Sequence, residues 1–500
     1  MPSSALDKDL KKIGGLESVT RSNARAAAAP GLTIVFLIGA VLLAYLSIVS
    51  GPLNHLVILA AVAAAYMALN IGANDVANNM GPAVGSRALT LTGALLIAAI
   101  CEAAGAILAG GDVVGTISSE LLRPVQAMTA SEFILVMMAA SLAAALWTHL
   151  ATFLGAPVST THAVVGGVVG AGIAAAGADI VAWPMLGSIV ASWIISPALG
   201  GAIASLLLAF IDKAIVDRQD RVAAARIWVP VFVGLMTGTF AMYLASKGLR
   251  RVWSPGLATV LVLGGGFFLL GWLLSVPLIR RGSAGLENRV KHVSTLFALP
   301  LIMATALLSF AHGANDVANA VGPLAAIVQA AASGSGEASV VALPFWVLAI
   351  GGVGIAVGLS LFGPRVIRTV GQMITKMNEM RAYCVALSAA VTVLVASAFG
   401  LPVSSTHIAV GAVFGVGFLR EFKSNRGLRN PGVQPRSTFL RTSKLNKTPE
   451  EAIKNFQKRE RRRLVRRHHM LGIAAAWVIT VPASMALSAL LYLLLYALAG

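Results

Sequence analysis

Apolar runs of about 20 residues recur along the whole chain, each bounded by a short polar or charged stretch, and this alternation is the signature of a polytopic helical membrane protein. Taken in order, the runs predict spans near 32–49, 55–71, 91–109, 131–152, 157–178, 186–211, 228–246, 256–278, 293–311, 341–362, 382–399, 402–419 and 471–498. The fold class is therefore an all-α polytopic membrane protein with about 11–13 transmembrane segments. Lys8, Lys11, Lys12, Arg21 and Arg25 precede the first run, and no small-residue cleavage site follows it. That places the N-terminus in the cytoplasm, ahead of an uncleaved span. Residues 1–54 form this first unit.

The remaining runs divide into two series of five. The first covers 55–211, and the second covers 293–419 and 471–500, with a basic loop at 420–470 inserted before its last span; residues 212–292 supply two connecting spans and cytoplasmic loops. Lys213, Arg218, Arg221 and Arg226, then Arg280, Arg281, Arg289 and Lys291, mark cytoplasmic turns, so the two series start on opposite sides of the membrane. The short turn of Lys247, Arg250 and Arg251 falls outside by this count, against the positive-inside rule.

Two polar motifs interrupt the apolar pattern, and each occurs twice. Gly72-Ala73-Asn74-Asp75-Val76-Ala77-Asn78 returns letter for letter as Gly313-Ala314-Asn315-Asp316-Val317-Ala318-Asn319, with Pro82 and Pro323 at matching distances. An Asp inside a span costs about 2.5–3.5 kcal/mol even on insertion scales, so such a residue marks a functional site by default. The Gly-Ala pair predicts a helix break, with each Asp at the start of a half-helix near the end of its span. A helix N-cap explains one such copy but not two. The second motif is Pro157-Val158-Ser159-Thr160-Thr161-His162, matched by Pro402-Val403-Ser404-Ser405-Thr406-His407. Its Pro breaks the helix, and three consecutive hydroxyls follow. Hydroxyls that mend a kink would account for one copy alone. Doubled motifs in inverted halves with broken helices are the pattern of secondary transporters that alternate access around a midplane site.

Composition sharpens this picture at only a few points. The chain is 57% hydrophobic and 12% charged, and its 50 glycines suit close helix packing in lipid. Cys101 and Cys384 both lie in apolar runs, which excludes a disulfide framework or cysteine-based metal site. The net charge of +18 is concentrated in the 420–470 loop, which carries 16 of the 38 Lys and Arg residues. A cytoplasmic loop facing anionic lipid headgroups explains it, and no nucleic acid is implied.

Two Asp, four Asn, two hydroxyl triplets and the half-helix N-termini suit an oxyanion ringed by donors, with cations on the carboxylate and amide oxygens. A bare phosphate beside two carboxylates is repelled, so a cation or proton must accompany it. Phosphate carries a proton at neutral pH and sulfate does not, which favours phosphate beside an accepting Asp. The two motifs together resemble those of the inorganic phosphate transporter (PiT) family, over roughly residues 55–211 and 293–499. The resemblance implies a symporter of phosphate with sodium or a proton, and sulfate permeases occur among such proteins. It implies a substrate site of Asn74, Asn78, Ser159, Thr160, Thr161, Asn315, Asn319, Ser404, Ser405 and Thr406. Asp75 and Asp316 are then the coupling residues, and the metal ligands if sodium is the ion. Glu102, an intramembrane carboxylate without an acidic counterpart in the second series, resembles a family position linked to ion coupling. No cofactor is expected beyond the co-transported sodium or proton, and a homodimer is admitted but not required. The implied location is a plasma membrane, the inner membrane in a bacterium. Departures from the resemblance are the added first span, Asn79 where the second copy has Ala320, and the basic loop.

Other classes fit less well. A hydrolase built on Ser159, His162 and Asp75 lacks a nucleophile elbow and would not need an inverted duplicate. A receptor or scaffold leaves the two aspartates without a purpose. His149, His162 and His407 are assigned packing roles. The inverted reading is checked by labelling single cysteines: those at Asn54 and Gly500 should react from outside, and one at Asn446 only from inside. Reaction of Asn54 and Asn446 from the same side would refute it.

Overall fold

The computed structural model describes residues 28–48, 51, 53–123, 128–154, 158–249, 253–333, 343–373, 377–429 and 467–499. The N-terminal basic cluster, Gly155, Ala156 and Pro157, Arg250 and Arg251, Gly500 and most of the basic loop, Asn446 included, lie outside the described residues. Within those residues all the regular elements are helical, and 11 helices are long and apolar enough to cross a membrane.

Helix α1 covers Ala28–Ser47. The first repeat follows as α2 (Asn54–Gly85), α3 (Leu91–Ala109), the short α4 (Gly111–Gly115), α5 (Ala130–Leu154), α6 (Thr160–Ala176) and α7 (Trp183–Ile211). The connecting segment is α8 (Arg221–Tyr243), α9 (Leu257–Gly282) and α10 (Val290–Thr295). The second repeat is α11 (Ala298–Ser333), α12 (Phe345–Met373), α13 (Glu379–Ala398), α14 (Ser405–Arg429) and α15 (Arg467–Ala499).

The repeats pack reciprocally. Helix α2 crosses α12 as α11 crosses α3, and α6 lies on α15 as α14 lies on α7. Glycine makes each crossing close. A Cβ on Gly72 would sit 2.0 Å from the Ile355 carbonyl oxygen, and one on Gly358 would sit 2.1 Å from that of Leu69. The same geometry recurs in the other crossing, where a Cβ on Gly313 would sit 2.0 Å from the Glu102 carbonyl oxygen and one on Gly105 would sit 2.0 Å from that of Phe310. Gly166 and Gly170 press on Val481 and Met485, while Gly411 and Gly415 press on Pro197 and Gly201, the spacing of small residues that lets helices pack without a hydrophobic driving force. Pro197 and Gly201 of α7 are thus placed as Val481 and Met485 of α15 are, each pair against two glycines four residues apart.

One sequence expectation is corrected. Helix α2 runs unbroken through Asp75 to Gly85, and α11 runs through Asp316 to Ser333, so neither aspartate begins a half-helix. The physical reason is that Gly72 and Gly313 serve close approach, and the Asn and Asp side chains find partners on other helices without opening their own. The breaks fall at the hydroxyl signatures instead. Helix α5 ends at Leu154 before α6 starts at Thr160, and α13 ends at Ala398 before a turn through Gly400, whose φ of 68° favours glycine. At 17 residues α6 reaches roughly 25 Å, short of a ~30 Å hydrocarbon core. It is an arm that starts in the interior. The exception to the positive-inside rule also has a local explanation, since Lys247 pairs with Asp112 at 3.0 Å.

These contacts separate two glycines of one helix. Gly72→Ala should lower thermal stability by about 1–3 kcal/mol or more, because backbone lies in the way. Gly81→Ala meets nothing within 4 Å and should be neutral or slightly stabilising. Equal melting of the two variants in detergent would contradict the crossing.

Candidate ion and oxyanion site

The arms α6 and α14 approach one another with their N-termini foremost, and the three hydroxyls of each signature divide the work. The first caps its helix: Ser159 Oγ accepts from His162 N at 3.2 Å, and Ser404 Oγ accepts from His407 N at 3.3 Å. The second reaches the aspartates. Thr160 Oγ1 lies 3.5 Å from Asp75 Oδ2 and 3.3 Å from Asp316 Oδ2, and Ser405 Oγ lies 3.4 Å from Asp316 Oδ2. The third meets the other repeat's motif. Asn78 Nδ2 donates to Thr406 Oγ1 at 2.8 Å, and Asn319 Nδ2 donates to Thr161 Oγ1 at 3.0 Å. Thr406 Oγ1 in turn donates to Asp75 Oδ1 at 2.9 Å.

Asp75 and Asp316, 241 positions apart in the chain, thus share one hydroxyl in one buried site, each about 1% exposed. The first-turn N–H groups of α6 and α14 have no acceptor within their own helices, and both positive helix ends face this point. Asp316 Oδ1 and Asn319 Oδ1 are buried without a hydrogen-bond partner among the described residues, as ligands for a small cation would be. Asn319 is buried and Asn78 half-buried, so the site is closed more tightly on the second motif's side.

Asn74 and Asn315 stand elsewhere in the arrangement. Asn74 Nδ2 donates to Thr152 Oγ1 at 2.7 Å near the end of α5. Asn315 Nδ2 donates to Ser397 Oγ at 2.9 Å and Leu401 O at 3.1 Å, and its Oδ1 accepts from Val403 N at 3.1 Å. The first Asn of each motif therefore braces the helix break that the second signature creates. Glu102 is fully buried and lies in the same cluster.

Sequence reasoning missed His312. It is fully buried, with Nε2 3.2 Å from Asp316 Oδ2 and 3.9 Å from Asp75 Oδ2, and Nδ1 3.1 Å from Glu102 Oε2. These are ion-pair distances, and neither nitrogen meets hydrogen-bond geometry. Asp75, His312 and Asp316 each offer one atom within 4.8 Å of the others, a set able to hold a cation. The available signal was its place one helical turn before Asp316, where the first copy has Ile71. The histidines singled out instead sit in rings: His162 stacks on Trp193 with centroids 3.8 Å apart and meets His407 edge-on at 4.6 Å, while His149 lies against Tyr66 and Asn70.

Comparison with known proteins shows which family the chain belongs to. The model of the phosphate transporter family matches residues 71–488. A Helicobacter pylori protein named as a phosphate permease is 43% identical over 525 aligned positions, covering 97% of this chain and 98% of that one. A Thermococcus kodakarensis protein of similar name is 41% identical over 72% of this chain and 87% of its own. A solved structure described as the sodium-dependent phosphate transporter superimposes with a TM-score of 0.77 at 33% identity, covering 89% of this chain and 99% of that one. The chain is a multi-pass membrane protein and a transporter, not an enzyme, and it belongs to the phosphate transporter family.

Proposed function

We propose that the protein imports inorganic phosphate by symport with sodium, alternating access around the site between α2, α6, α11 and α14. The observation that carries this reading is the union of two carboxylates, two hydroxyl pairs and two helix N-termini in one buried place. The helix ends and hydroxyls suit an oxyanion, and the carboxylates repel one unless positive charge enters as well. The residues in contact there include no Lys or Arg among the described residues, and the one imidazole of His312 cannot balance three carboxylates and a phosphate, so a co-transported cation supplies the remaining charge. The structural relative is described as sodium-dependent, which supports sodium over a proton as that ion.

Three groups divide the work in this mechanism. Asp75 and Asp316 hold the cation, with Asn319 Oδ1 as a further oxygen. Thr160, Thr161, Ser405 and Thr406, with the first N–H groups of their helices, hold phosphate. Ser159, Ser404, Asn74 and Asn315 keep the two arms in place. Phosphate is favoured over sulfate because its protonated oxygen can donate to a carboxylate, whereas sulfate offers only acceptors.

Purified protein in liposomes tests the reading. Labelled phosphate should accumulate against its gradient when sodium is higher outside, and excess sulfate should not compete. Asp75→Asn and Asp316→Asn keep shape and remove a charge, so each should abolish accumulation while the protein remains inserted and folded. Raising sodium should improve phosphate affinity by the same factor that phosphate improves sodium affinity. Parental accumulation with unchanged sodium dependence in both variants would refute the mechanism.

A further inference from the structure

The close helix crossings allow the two halves to be compared residue by residue. Gly72 packs on the Ile355 carbonyl and Gly313 packs on that of Glu102, so Ile355 occupies in one crossing the place of Glu102 in the other. By the motif alignment Ile71 answers to His312, and Ala320 answers to Asn79. The paired carboxylates, hydroxyls and amides of the site are present twice, whereas Asn79, Glu102 and His312 are present once. Their counterparts are three apolar residues, all 0% exposed.

The three polar residues form a continuous chain of contacts. Asn79 Nδ2 donates to Glu102 Oε1 at 2.8 Å, Glu102 Oε2 lies 3.1 Å from His312 Nδ1, and His312 Nε2 lies 3.2 Å from Asp316 Oδ2. The chain runs from α2 through α3 to α11 and ends on a carboxylate of the site. Asn79 and Glu102 are both 0% exposed, so no bulk water can replace the amide in holding the carboxylate.

We propose that Asn79 is a positioning residue for cation coupling. By fixing one oxygen of Glu102 it turns the other toward His312, and so sets how the imidazole meets Asp316. The relay makes the two aspartates inequivalent: Asp316 lies nearer the imidazole, whereas Asp75 Oδ1 is engaged by Asn78 and Thr406. Because the relay ends on a carboxylate and bypasses the cap and Asn-paired hydroxyls, Asn79 tunes cation affinity and leaves phosphate binding by the loaded carrier largely intact. This inference rests on the cation-coupled reading proposed above.

Asn79→Ala installs the residue that the other half carries at this place. The sodium concentration for half-maximal phosphate uptake should rise by about tenfold, the scale expected for a lost outer partner of an ion ligand. Phosphate exchange at saturating sodium should stay within about twofold of the parent. Asn79→Ser retains a donor on a smaller side chain and should fall between; it serves as well if the alanine variant does not fold. The pair Asn79→Asp with Glu102→Gln keeps a hydrogen bond but moves the charge off position 102. It should recover thermal stability without recovering sodium affinity, and full recovery of both would show a merely structural bond and overturn the proposal. A readout without transport is the imidazole 15N signal of His312 in sodium-free bilayers, assigned by its loss in His312→Gln. It should shift or broaden in Asn79→Ala, and an unchanged signal would overturn the proposal. If the signal responds but the parent shows no sodium-driven uptake, the positioning of His312 by Asn79 stands and the symport reading, with the coupling role, falls.

Discussion

Three buried carboxylates, Asp75, Glu102 and Asp316, set the terms for the rest of the structure. A lone carboxylate in such a place would take up a proton or force the protein open, because desolvation disfavours its charged form. Here each has named company: amides, hydroxyls, the imidazole of His312 and the ends of two helices. Carboxylates and company together come from five helices of both repeats, which explains why the chain must bring distant segments so close.

Closeness in turn depends on what the crossings lack. Without a hydrophobic effect between helices in lipid, contact comes from backbone meeting backbone, and glycine at Gly72, Gly105, Gly313 and Gly358 permits it. The glycine that opens each polar motif is therefore a packing residue, whereas the aspartate and the second asparagine behind it face the chemistry. A single heptapeptide fixes both the position of α2 against α12 and the position of Asp75 in the site.

The sequence carried the membrane class, the two repeats, the second set of helix breaks and nearly all of the polar cluster, because apolar run length and letter-for-letter repetition are local signals. It misjudged the helix state at Asp75 and Asp316, since Gly beside Asn and Asp reads equally as a break or as a close crossing until the partner helix is known. It grouped Asn74 and Asn315 with the substrate ligands, although spacing alone does not tell a side chain aimed at a site from one that braces the adjacent turn. His312 escaped notice because it lies just outside the repeated letters, and repetition was the guide. The departure at Asn79 was visible as a mismatch between copies, but its meaning depends on Glu102, which the fold alone brings to it.

The crossed bonds of Asn78 with Thr406 and Asn319 with Thr161 carry a last consequence. The second asparagine of each heptapeptide finds its hydroxyl partner in the opposite half. Asn78 and Asn319 are answered by the last hydroxyl of the other repeat's triplet, so a change at either asparagine is felt in the other half as well as in its own. The letters the two segments share lie in this exchange, while positions just outside it, Ile71 and His312 or Asn79 and Ala320, differ between the copies. Matched letters at the centre and unlike letters one residue away meet in the same interlocking, which makes the chain a single composite rather than two modules in tandem.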